Sequence, residues 1–224
     1  MEQIKASKKV LEESQKEEFP YVIEEFGLEI VVHKGVFSPK YFHGWKVFTR
    51  SFPNVDGEEV LEVGCGHGAT SIYLAKHGAE KVVAVDINPL AVQNTLKNVQ
   101  RNNVQNLDVR FSDIYSTLEK NERFDTIYWN MPFIFMPENY EYTSMLERGL
   151  FDPGYKLIER FLREGKEYLK PNGRILIGTG NFGDIQGFQS IAKDFGYSIT
   201  LLAKEDSTEI NPVDFQLYEL RRKK

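Results

Sequence analysis

An apolar stretch, residues 60–63, runs directly into three glycines at alternate positions, Gly64, Gly66 and Gly68. A glycine permits a sharp backbone turn and lets a ligand approach the chain closely, because it has no Cβ atom. In open α/β sheets, ligands bind beyond the carboxyl ends of the strands, where such a loop would lie. The G-x-G-x-G spacing differs from the G-x-G-x-x-G of dinucleotide-binding proteins. We therefore expect a nucleotide-like cofactor on this loop, with the small residue Cys65 beside it.

Two aspartates end or follow the next two predicted strands. Asp86 stands at the end of the first of them, where an acidic side chain can accept hydrogen bonds from both ribose hydroxyls of an adenosine. As an alternative, Asp86 could be an N-cap or surface carboxylate, because the sequence from Asp86 to Pro89 could simply start a helix. The neighbouring glycine loop favours the ribose role. Asp113 follows the second of these strands, with Ile114 directly after it.

A fourth strand of this series ends in Asn130, which is followed by Met131, Pro132 and Phe133. An asparagine oxygen and a backbone carbonyl can together accept both protons of an –NH₂ group and so fix its orientation. An aromatic ring can stack on the flat group that carries the nitrogen. Such a nitrogen needs positioning more than it needs a strong base. The alternative is an ordinary strand exit with a buried aromatic.

The elements that would position these residues follow from hydrophobic periodicity. From residue 59 onward strands alternate with helices, which is typical of a parallel sheet with crossover helices. The predicted strands cover residues 28–33, 59–63, 81–86, 107–111, 124–129, 174–179, 197–204 and 214–221. The predicted helices cover residues 5–25, 46–50, 69–77, 90–102, 152–169 and 185–195. Residues 35–45 fit neither period and predict an aromatic covering loop. We thus expect an N-terminal appendage, residues 1–55, and a main domain, residues 56–224.

Composition limits the protein class. The chain has 224 residues, a net charge of −5 and one cysteine, so an internal disulfide and a cysteine-based zinc site are excluded. We see no apolar run long enough to cross a bilayer and no signal peptide, and therefore expect a cytoplasmic protein without a membrane partner. The acidic balance gives no sign of an extended nucleic-acid surface. The four histidines lack metal-ligand spacing, and no metal is predicted. Nothing in the composition predicts the oligomeric state.

Several motifs resemble a known family. Residues 62–68, Glu-Val-Gly-Cys-Gly-His-Gly, are similar to the E/D-x-G-x-G-x-G loop of S-adenosylmethionine (SAM) methyltransferases. Residues 130–133, Asn-Met-Pro-Phe, resemble the N-P-P-F/Y loop of methyltransferases that act on planar nitrogens. Residues 35–38 resemble ribosomal RNA guanine-N2 methyltransferases, and residues 149–155 with 169–175 resemble release-factor glutamine methyltransferases. The chain is thereby identified as a member of the methyltransferase small domain family.

The resemblance implies a Rossmann-like class I methyltransferase of the α/β class, with a seven-stranded, mostly parallel sheet and an antiparallel edge strand. It also implies SAM as the cofactor. The implied cofactor-binding residues are Glu62, Gly64, Cys65, Gly66, Gly68, Asp86, Ile87, Asp113, Ile114 and Asn130. Within this set Glu62 would face the methionine amino group and Asp113 the adenine amino group, while Ile114 would pack on the ring.

The implied function is methylation of an amino or amide nitrogen, and the implied catalytic residues are Asn130, Pro132 and Phe133. The expected substrate-binding residues are Met131, Phe133, Phe37, Tyr41 and Phe135. Met131 stands where the family has a proline, which reduces the stiffness of the loop. The candidate acceptors are protein glutamine, a small metabolite and an RNA base, in that order. The alternatives are a noncatalytic module that supports a partner enzyme and, disfavoured by the glycine spacing, a nicotinamide-dependent oxidoreductase.

Overall fold

The computed structural model describes residues 2–206 and 213–223. Its helices are α1 Glu2–Ser14, α2 Gly44–Arg50, α3 Ala69–Lys76, α4 Pro89–Arg101, α5 Lys156–Tyr168 and α6 Ile185–Asp194, with a 3-10 turn at Met145–Gly149. Its strands are β1 Tyr21–Glu25, β2 Leu28–Val32, β3 Glu59–Val63, β4 Lys81–Asp86, β5 Leu107–Phe111, β6 Phe124–Asn130, β7 Ile134–Met136, β8 Phe151–Pro153, β9 Leu169–Gly180, β10 Tyr197–Asp206 and β11 Asp214–Arg222.

Seven strands form the central sheet in the order β10-β11-β9-β6-β3-β4-β5. Strands β3, β4, β5, β6 and β9 run parallel, whereas β11 is antiparallel to both of its neighbours. This confirms the predicted α/β class with a mostly parallel sheet and antiparallel closure at one edge. The carboxyl ends of the parallel strands therefore meet along one edge of the sheet, the expected position of a ligand site.

Helices cover both faces of the sheet. Ile127 of β6 points to the face where Phe161 of α5 and Phe188 of α6 complete a core. The next residue, Tyr128, points to the opposite face, where Phe48 of α2 packs. This alternation follows from the two-residue period of a strand. Because both faces are buried, the central strands are fixed firmly enough to hold side chains at their ends.

The predicted helix over residues 5–25 is wrong beyond Ser14, where α1 ends. Residues 21–25 instead form β1, which pairs with β2 in an antiparallel hairpin. Phe26 and Gly27 between the two strands have φ values of 53° and 69°. Two consecutive residues with positive φ are the mark of a tight two-residue hairpin turn. The sequence Tyr-Val-Ile-Glu-Glu of residues 21–25 has no clear alternation of apolar and polar residues, so the pattern alone did not predict a strand.

The predicted helix over residues 152–169 begins only at Lys156. Residues 151–153 form β8, which pairs in parallel with β7. The buried carboxylate of Asp152 accepts hydrogen bonds from the backbone N–H groups of Leu157 and Ile158, each at 3.0 Å. Asp152 thus caps the helix from a strand several residues away. The predicted strand over residues 174–179 is also longer, since β9 begins at Leu169.

Three asparagines join the β1–β2 hairpin to α4. Asn94 and Asn98 of α4 and its C-cap residue Asn102 are spaced four residues apart, so they share one face of the helix. The amide oxygen of Asn98 accepts from the N–H of Val31, and its nitrogen donates to the carbonyls of Val31 and His67, all at 2.9 Å. Asn94 and Asn102 bond the same strand edge. The asparagines therefore satisfy the edge of β2 that no strand covers.

We expect Asn98→Leu to lower the free energy of unfolding by roughly 2–4 kcal/mol, because the Val31 N–H and the His67 carbonyl lose these hydrogen bonds, while the Val31 carbonyl keeps the one from Asn94. Chemical denaturation followed by circular dichroism measures the loss. Gln100→Leu, at an exposed position of the same helix, is the matched control and should change stability by about 0.5 kcal/mol or less. Equal stabilities of the two variants would show that the asparagine contacts do not hold the hairpin.

Candidate active site

The glycine loop links β3 to α3 at the carboxyl edge of the sheet. Gly66 and Gly68 have φ values of 57° and 84°, a backbone conformation that side chains disfavour. A Cβ atom at Gly68 would lie 2.6 Å from the Thr95 side chain, so Gly68 permits close packing against α4. A Cβ atom at Gly66 would meet nothing within 4 Å. The space beside Gly66 is thus open, as a ligand-binding loop requires.

Asp86 ends β4 and holds this loop in place. Its carboxylate accepts hydrogen bonds from the N–H groups of Gly66 and Asn88, both at 2.8 Å. Burial raises the pKa of Asp86, while these backbone hydrogen bonds lower it. The side chain also lines the cavity described below. The N-cap of α4 is a different residue, Asn88, whose side-chain oxygen accepts from the Leu90 N–H. Asp86 is therefore not the N-cap of α4, the alternative role that the sequence left open.

Glu62 is an acid enclosed at the end of β3. Its side chain is 4% exposed, and the Ser71 hydroxyl of α3 donates a hydrogen bond to its carboxylate. Burial raises the pKa of Glu62 to about 8, an effect that the bonds from Ser71 only reduce. A cation near this carboxylate would favour its charged form and lower the pKa again. Glu62 is thus suited to meet a cationic group inside the cavity.

The raised pKa of Glu62 predicts how stability depends on pH. Between its ordinary value of 4.5 and about 8, the folded protein holds a proton that the unfolded chain has released. The contribution of this proton to the free energy of unfolding is complete below pH 4.5. It is lost as the pH rises toward about 8, by up to about 1.4 kcal/mol per pH unit. Denaturation of wild type and Glu62→Gln across this range should show the wild type falling relative to the variant. Parallel curves would contradict the shift.

Asp113 and Ile114 follow β5 at the same edge. The Asp113 carboxylate forms an ion pair with Arg160 of α5 at 2.9 Å and is 44% exposed. Arg160 also donates to the Asp113 backbone carbonyl at 2.9 Å. Ile114 is buried and has a positive φ of 55°. The sequence did not predict the arginine partner, because α5 lies far along the chain from β5.

Asn130 ends β6 and is only partly buried. Among the described residues its side-chain amide has no hydrogen-bond partner, so its donors and acceptor are free. The next residue, Met131, donates its N–H to the Gly178 carbonyl at 3.1 Å. The Tyr155 hydroxyl donates to the Phe133 carbonyl at 3.1 Å. These two bonds anchor the loop on both sides of Pro132.

A single cavity of about 650 Å³ connects these groups. This volume lies within the range of ligand sites, about 300–1,000 Å³. The predicted residues that line it are Phe37, Tyr41, Glu62, Gly64, Cys65, Gly66, Asp86, Ile87, Asp113, Ile114, Asn130, Met131, Pro132 and Phe133. The acids Glu62, Asp86 and Asp113 lie on neighbouring strand ends, and most of the remaining wall is apolar or aromatic.

Two predicted residues do not line the cavity. Gly68 lies behind the loop, at the start of α3. Phe135 is 49% exposed, because the alternation along β7 turns Ile134 and Met136 inward and Phe135 outward. Phe135 instead packs edge-on against Tyr155, with ring centroids 5.2 Å apart. Its predicted contact with substrate is therefore not supported by its position.

Sequence reasoning missed part of the cavity wall. Ala6, Ser7 and Val10 of α1 close one end of it. The helix is held there by Lys8, whose ammonium lies 3.1 Å from the buried carboxylate of Glu147. Tyr128 of β6 also contributes to the wall. The amphipathic pattern of α1 indicated a buried face, but nothing in it indicated what that face would cover.

Within residues 2–206 and 213–223, no group of three or more histidine, cysteine, aspartate or glutamate side chains could hold a metal ion. The same part of the chain contains no helix long and apolar enough to cross a membrane.

Comparison with known proteins identifies the family. A family model described as "Methyltransferase small domain" matches residues 27–207. The chain belongs to this family. The methyltransferase is 31% identical over 186 residues to a protein of Methanocaldococcus jannaschii provisionally named as a protein glutamine methyltransferase, a match that covers 82% of this chain and 91% of that protein.

In two further matches, this chain spans only about half of the other protein's length. The methyltransferase is 26% identical to a release factor glutamine methyltransferase of Fusobacterium nucleatum, over 88% of this chain and 59% of that protein. A 16S rRNA methyltransferase of T. thermophilus, solved with AdoMet and guanosine, superposes with a TM-score of 0.63 and 21% identity, over 90% of this chain and 50% of that one. The superposition confirms the predicted Rossmann-like fold.

The protein is a SAM-dependent methyltransferase. This sets aside the alternative of a nicotinamide-dependent oxidoreductase. The residues present fit a SAM molecule: the space beside Gly66 admits a close ligand, and the buried acid Asp86 next to it offers carboxylate oxygens.

Proposed function

We propose that this methyltransferase transfers the methyl group of SAM to a planar amino or amide nitrogen held by Asn130. The observation that carries the proposal is the unpartnered amide of Asn130, which lines the cavity beside the glycine loop. The donors and the acceptor of this amide are therefore available to a ligand in the cavity. A planar –NH₂ group suits this position, since its protons match the Asn130 oxygen.

The loop after Asn130 supplies the other contacts of the acceptor. The Met131 backbone carbonyl accepts the second proton of the –NH₂ group, and the Phe133 ring stacks on the flat group next to it. Pro132 keeps the loop rigid between them. This arrangement directs the nitrogen lone pair toward the cofactor. Alignment of reacting atoms of this kind accelerates a transfer without a strong base.

The opposite wall of the cavity holds the cofactor. Asp86 accepts hydrogen bonds from the ribose hydroxyls, and Glu62 faces the methionine amino group. Asp113 lies nearest the adenine amino group, while Ile87 and Ile114 pack against the base. The backbone of the glycine loop contacts the rest of the molecule. These roles agree with the acidic character of the strand ends.

The transfer is a direct in-line displacement. SAM supplies an activated methyl group on a sulfonium sulfur. The acceptor nitrogen forms the new N–C bond as the S–C bond breaks, the bonding electrons return to sulfur, and the nitrogen then releases one proton. Asn130 and the Met131 carbonyl hold that nitrogen in line. His67 is a poor general base, since burial lowers its pKa to about 4 and its Nδ1 accepts from the Ala69 N–H.

The relatives support a planar nitrogen as the target. Two of them are named for glutamine, and one was solved with guanosine. Both kinds of acceptor carry –NH₂ on a flat group. Protein glutamine remains our first candidate, before a small metabolite and an RNA base. We also infer that residues 1–55 act as the part that closes the acceptor end, in keeping with the position of α1.

Radiolabelled methyl transfer tests the proposal. The protein is incubated with methyl-labelled SAM and an unfractionated cell extract, and the products are separated into protein, RNA and small molecules. Label in one fraction, dependent on Asn130, is expected. If no fraction carries label although the protein binds SAM, a noncatalytic module is favoured instead. The specific argument for that alternative is Met131, which stands where the family has a proline.

A further inference from the structure

One arginine reaches the cavity without an acidic partner. Arg148 belongs to the 3-10 turn Met145–Gly149, is partly buried and lines the cavity. Its guanidinium forms no hydrogen bond and no ion pair with any residue of 2–206 and 213–223. Lys40, the other lysine or arginine in the described wall, pairs with Glu17 at 2.9 Å. The charge of Arg148 is therefore not balanced by any carboxylate of the described wall.

The carboxylate next to Arg148 in sequence has other partners. Glu147 is 3% exposed and does not line the cavity. It accepts hydrogen bonds from the Thr143 N–H and the Tyr140 hydroxyl, both at 2.8 Å, and pairs with Lys8 of α1 at 3.1 Å. Because Glu147 is engaged on the protein side of the turn, it leaves the guanidinium of Arg148 to the cavity.

An aromatic ring holds Arg148 in place instead of an acid. The guanidinium carbon lies 4.7 Å from the centroid of the Tyr142 ring. The Tyr142 hydroxyl donates to the Phe151 carbonyl at 3.0 Å, which fixes the position of the ring. An aromatic face attracts a guanidinium but accepts none of the hydrogen bonds that its N–H groups donate in their own plane. Arg148 is thus oriented in advance, with its donors available to a ligand.

The turn that carries Arg148 is joined to the Asn130 loop. The Leu150 carbonyl, two residues after Arg148, accepts a hydrogen bond from the Ile134 N–H at 3.0 Å. Ile134 directly follows Phe133, whose ring we place against the acceptor. The three acids of the cavity lie elsewhere, at the carboxyl ends of β3, β4 and β5. Arg148 therefore belongs to the acceptor part of the cavity.

We propose that Arg148 binds a carboxylate of the methyl acceptor. The inference rests on the proposed transfer to a planar nitrogen at Asn130, and adds that this nitrogen lies within reach of a carboxylate. A carboxylate is planar and carries one charge, so it matches the guanidinium fork and balances its charge. An RNA would bring many phosphates to a wall with one unbalanced guanidinium, in a chain of net charge −5.

Two kinds of acceptor carry such a carboxylate. One is a protein, through an acidic side chain or a chain terminus beside the methylated residue. The other is a small organic acid that contains the planar nitrogen. The chemistry at Arg148 is the same for both, and the fraction that receives the methyl label distinguishes them.

Two probes of similar size test the inference without any turnover. Formate supplies a carboxylate without an amide, whereas formamide supplies a planar –NH₂ group without a charge. Each is titrated into the ¹⁵N-labelled full chain saturated with S-adenosylhomocysteine, and nuclear magnetic resonance follows the Gly149 N–H and the Asn130 side-chain amide. We expect formate to shift the Gly149 resonance, with at least roughly tenfold weaker binding in Arg148→Gln. Formamide should shift the Asn130 amide equally in both proteins.

Kinetics with the acceptor fraction extend the test. At saturating SAM, Arg148→Gln should raise KM for the acceptor by roughly tenfold or more with kcat little changed, because the guanidinium binds the acceptor away from the reacting nitrogen. Arg148→Lys keeps the charge without the fork and should lie between the two. Arg163→Gln, which removes the same charge from an exposed position of α5, is the matched control and should keep the wild-type KM.

The outcomes separate this inference from the proposed function. Equal effects of formate on wild type and Arg148→Gln would overturn the role of Arg148, as would an unchanged acceptor KM in a folded Arg148→Gln. Label that enters only RNA would overturn the carboxylate. Label in protein or in a small organic acid, dependent on Arg148, supports it and names the source. A formamide probe that leaves the Asn130 amide unshifted would count against the proposed function, while the formate result still decides the role of Arg148.

Discussion

Asn130→Ala is expected to lower kcat for methyl transfer by about 100-fold or more, because the acceptor nitrogen loses the group that aligns it. The side chain is unpartnered at the cavity wall, so its removal breaks no hydrogen bond within the described residues. The folded state should therefore be as stable as that of the wild type. Initial rates with labelled SAM, taken at saturating cofactor, measure the effect.

The controls separate alignment from general damage. Asn139→Ala changes an exposed asparagine and should leave kcat unaltered. Asn130→Asp keeps an oxygen acceptor but adds a negative charge, and should recover part of the lost rate. Unchanged kcat in Asn130→Ala would remove this residue from the mechanism. If Asn130→Ala lost cofactor affinity by the same factor as kcat, Asn130 would be assigned to SAM binding alone.

Asp86→Ala is expected to weaken binding of S-adenosylhomocysteine by roughly 100-fold, since hydrogen bonds to a carboxylate contribute about 1.5–3 kcal/mol each. The variant also loses the acceptor that fixes the Gly66 N–H, which loosens the loop under the cofactor. Isothermal titration measures the dissociation constant. Thermal melting of the ligand-free variant reports whether the fold persists.

A matched acid tests the specificity of this effect. Asp108 lies on β5 at an exposed position and pairs only with Arg110 at the surface. Asp108→Ala should bind S-adenosylhomocysteine as the wild type does. Wild-type affinity in a folded Asp86→Ala variant would place the ribose elsewhere and overturn the proposed orientation of the cofactor.

The glycine loop and Asp86 were predictable from sequence because their chemistry is local. Each stands at the end of an apolar run, and the parallel sheet brings such ends together without any further information. The backbone of Gly66 and the carboxylate of Asp86 then meet at 2.8 Å. The Asn130 loop was predictable for the same reason.

The structures of the N-terminal segment and of the β7–β8 pair were less predictable, since both depend on contacts between residues distant in sequence. The turn at Phe26 and Gly27 converts an apparent helix into a hairpin, and the hairpin is held by asparagines of α4. The short strand β8 forms because β7 lies beside it, which no local pattern of residues 151–153 specifies. The outward orientation of Phe135 follows from that pairing.

Glu62 shows a different limit of sequence reasoning. Its position at the end of a strand is predictable from the local pattern, but its raised pKa comes from burial against α3, whose Ser71 donates a hydrogen bond to its carboxylate.

The most direct test of the proposed function is the atom that receives the methyl group. The protein is incubated with its acceptor fraction and SAM carrying a ¹³C-labelled methyl group, and the purified product is examined by nuclear magnetic resonance and mass spectrometry. The account predicts a single labelled methyl on a planar amino or amide nitrogen, formed by the wild type and strongly reduced in Asn130→Ala. A labelled methyl on oxygen, carbon or sulfur would contradict it.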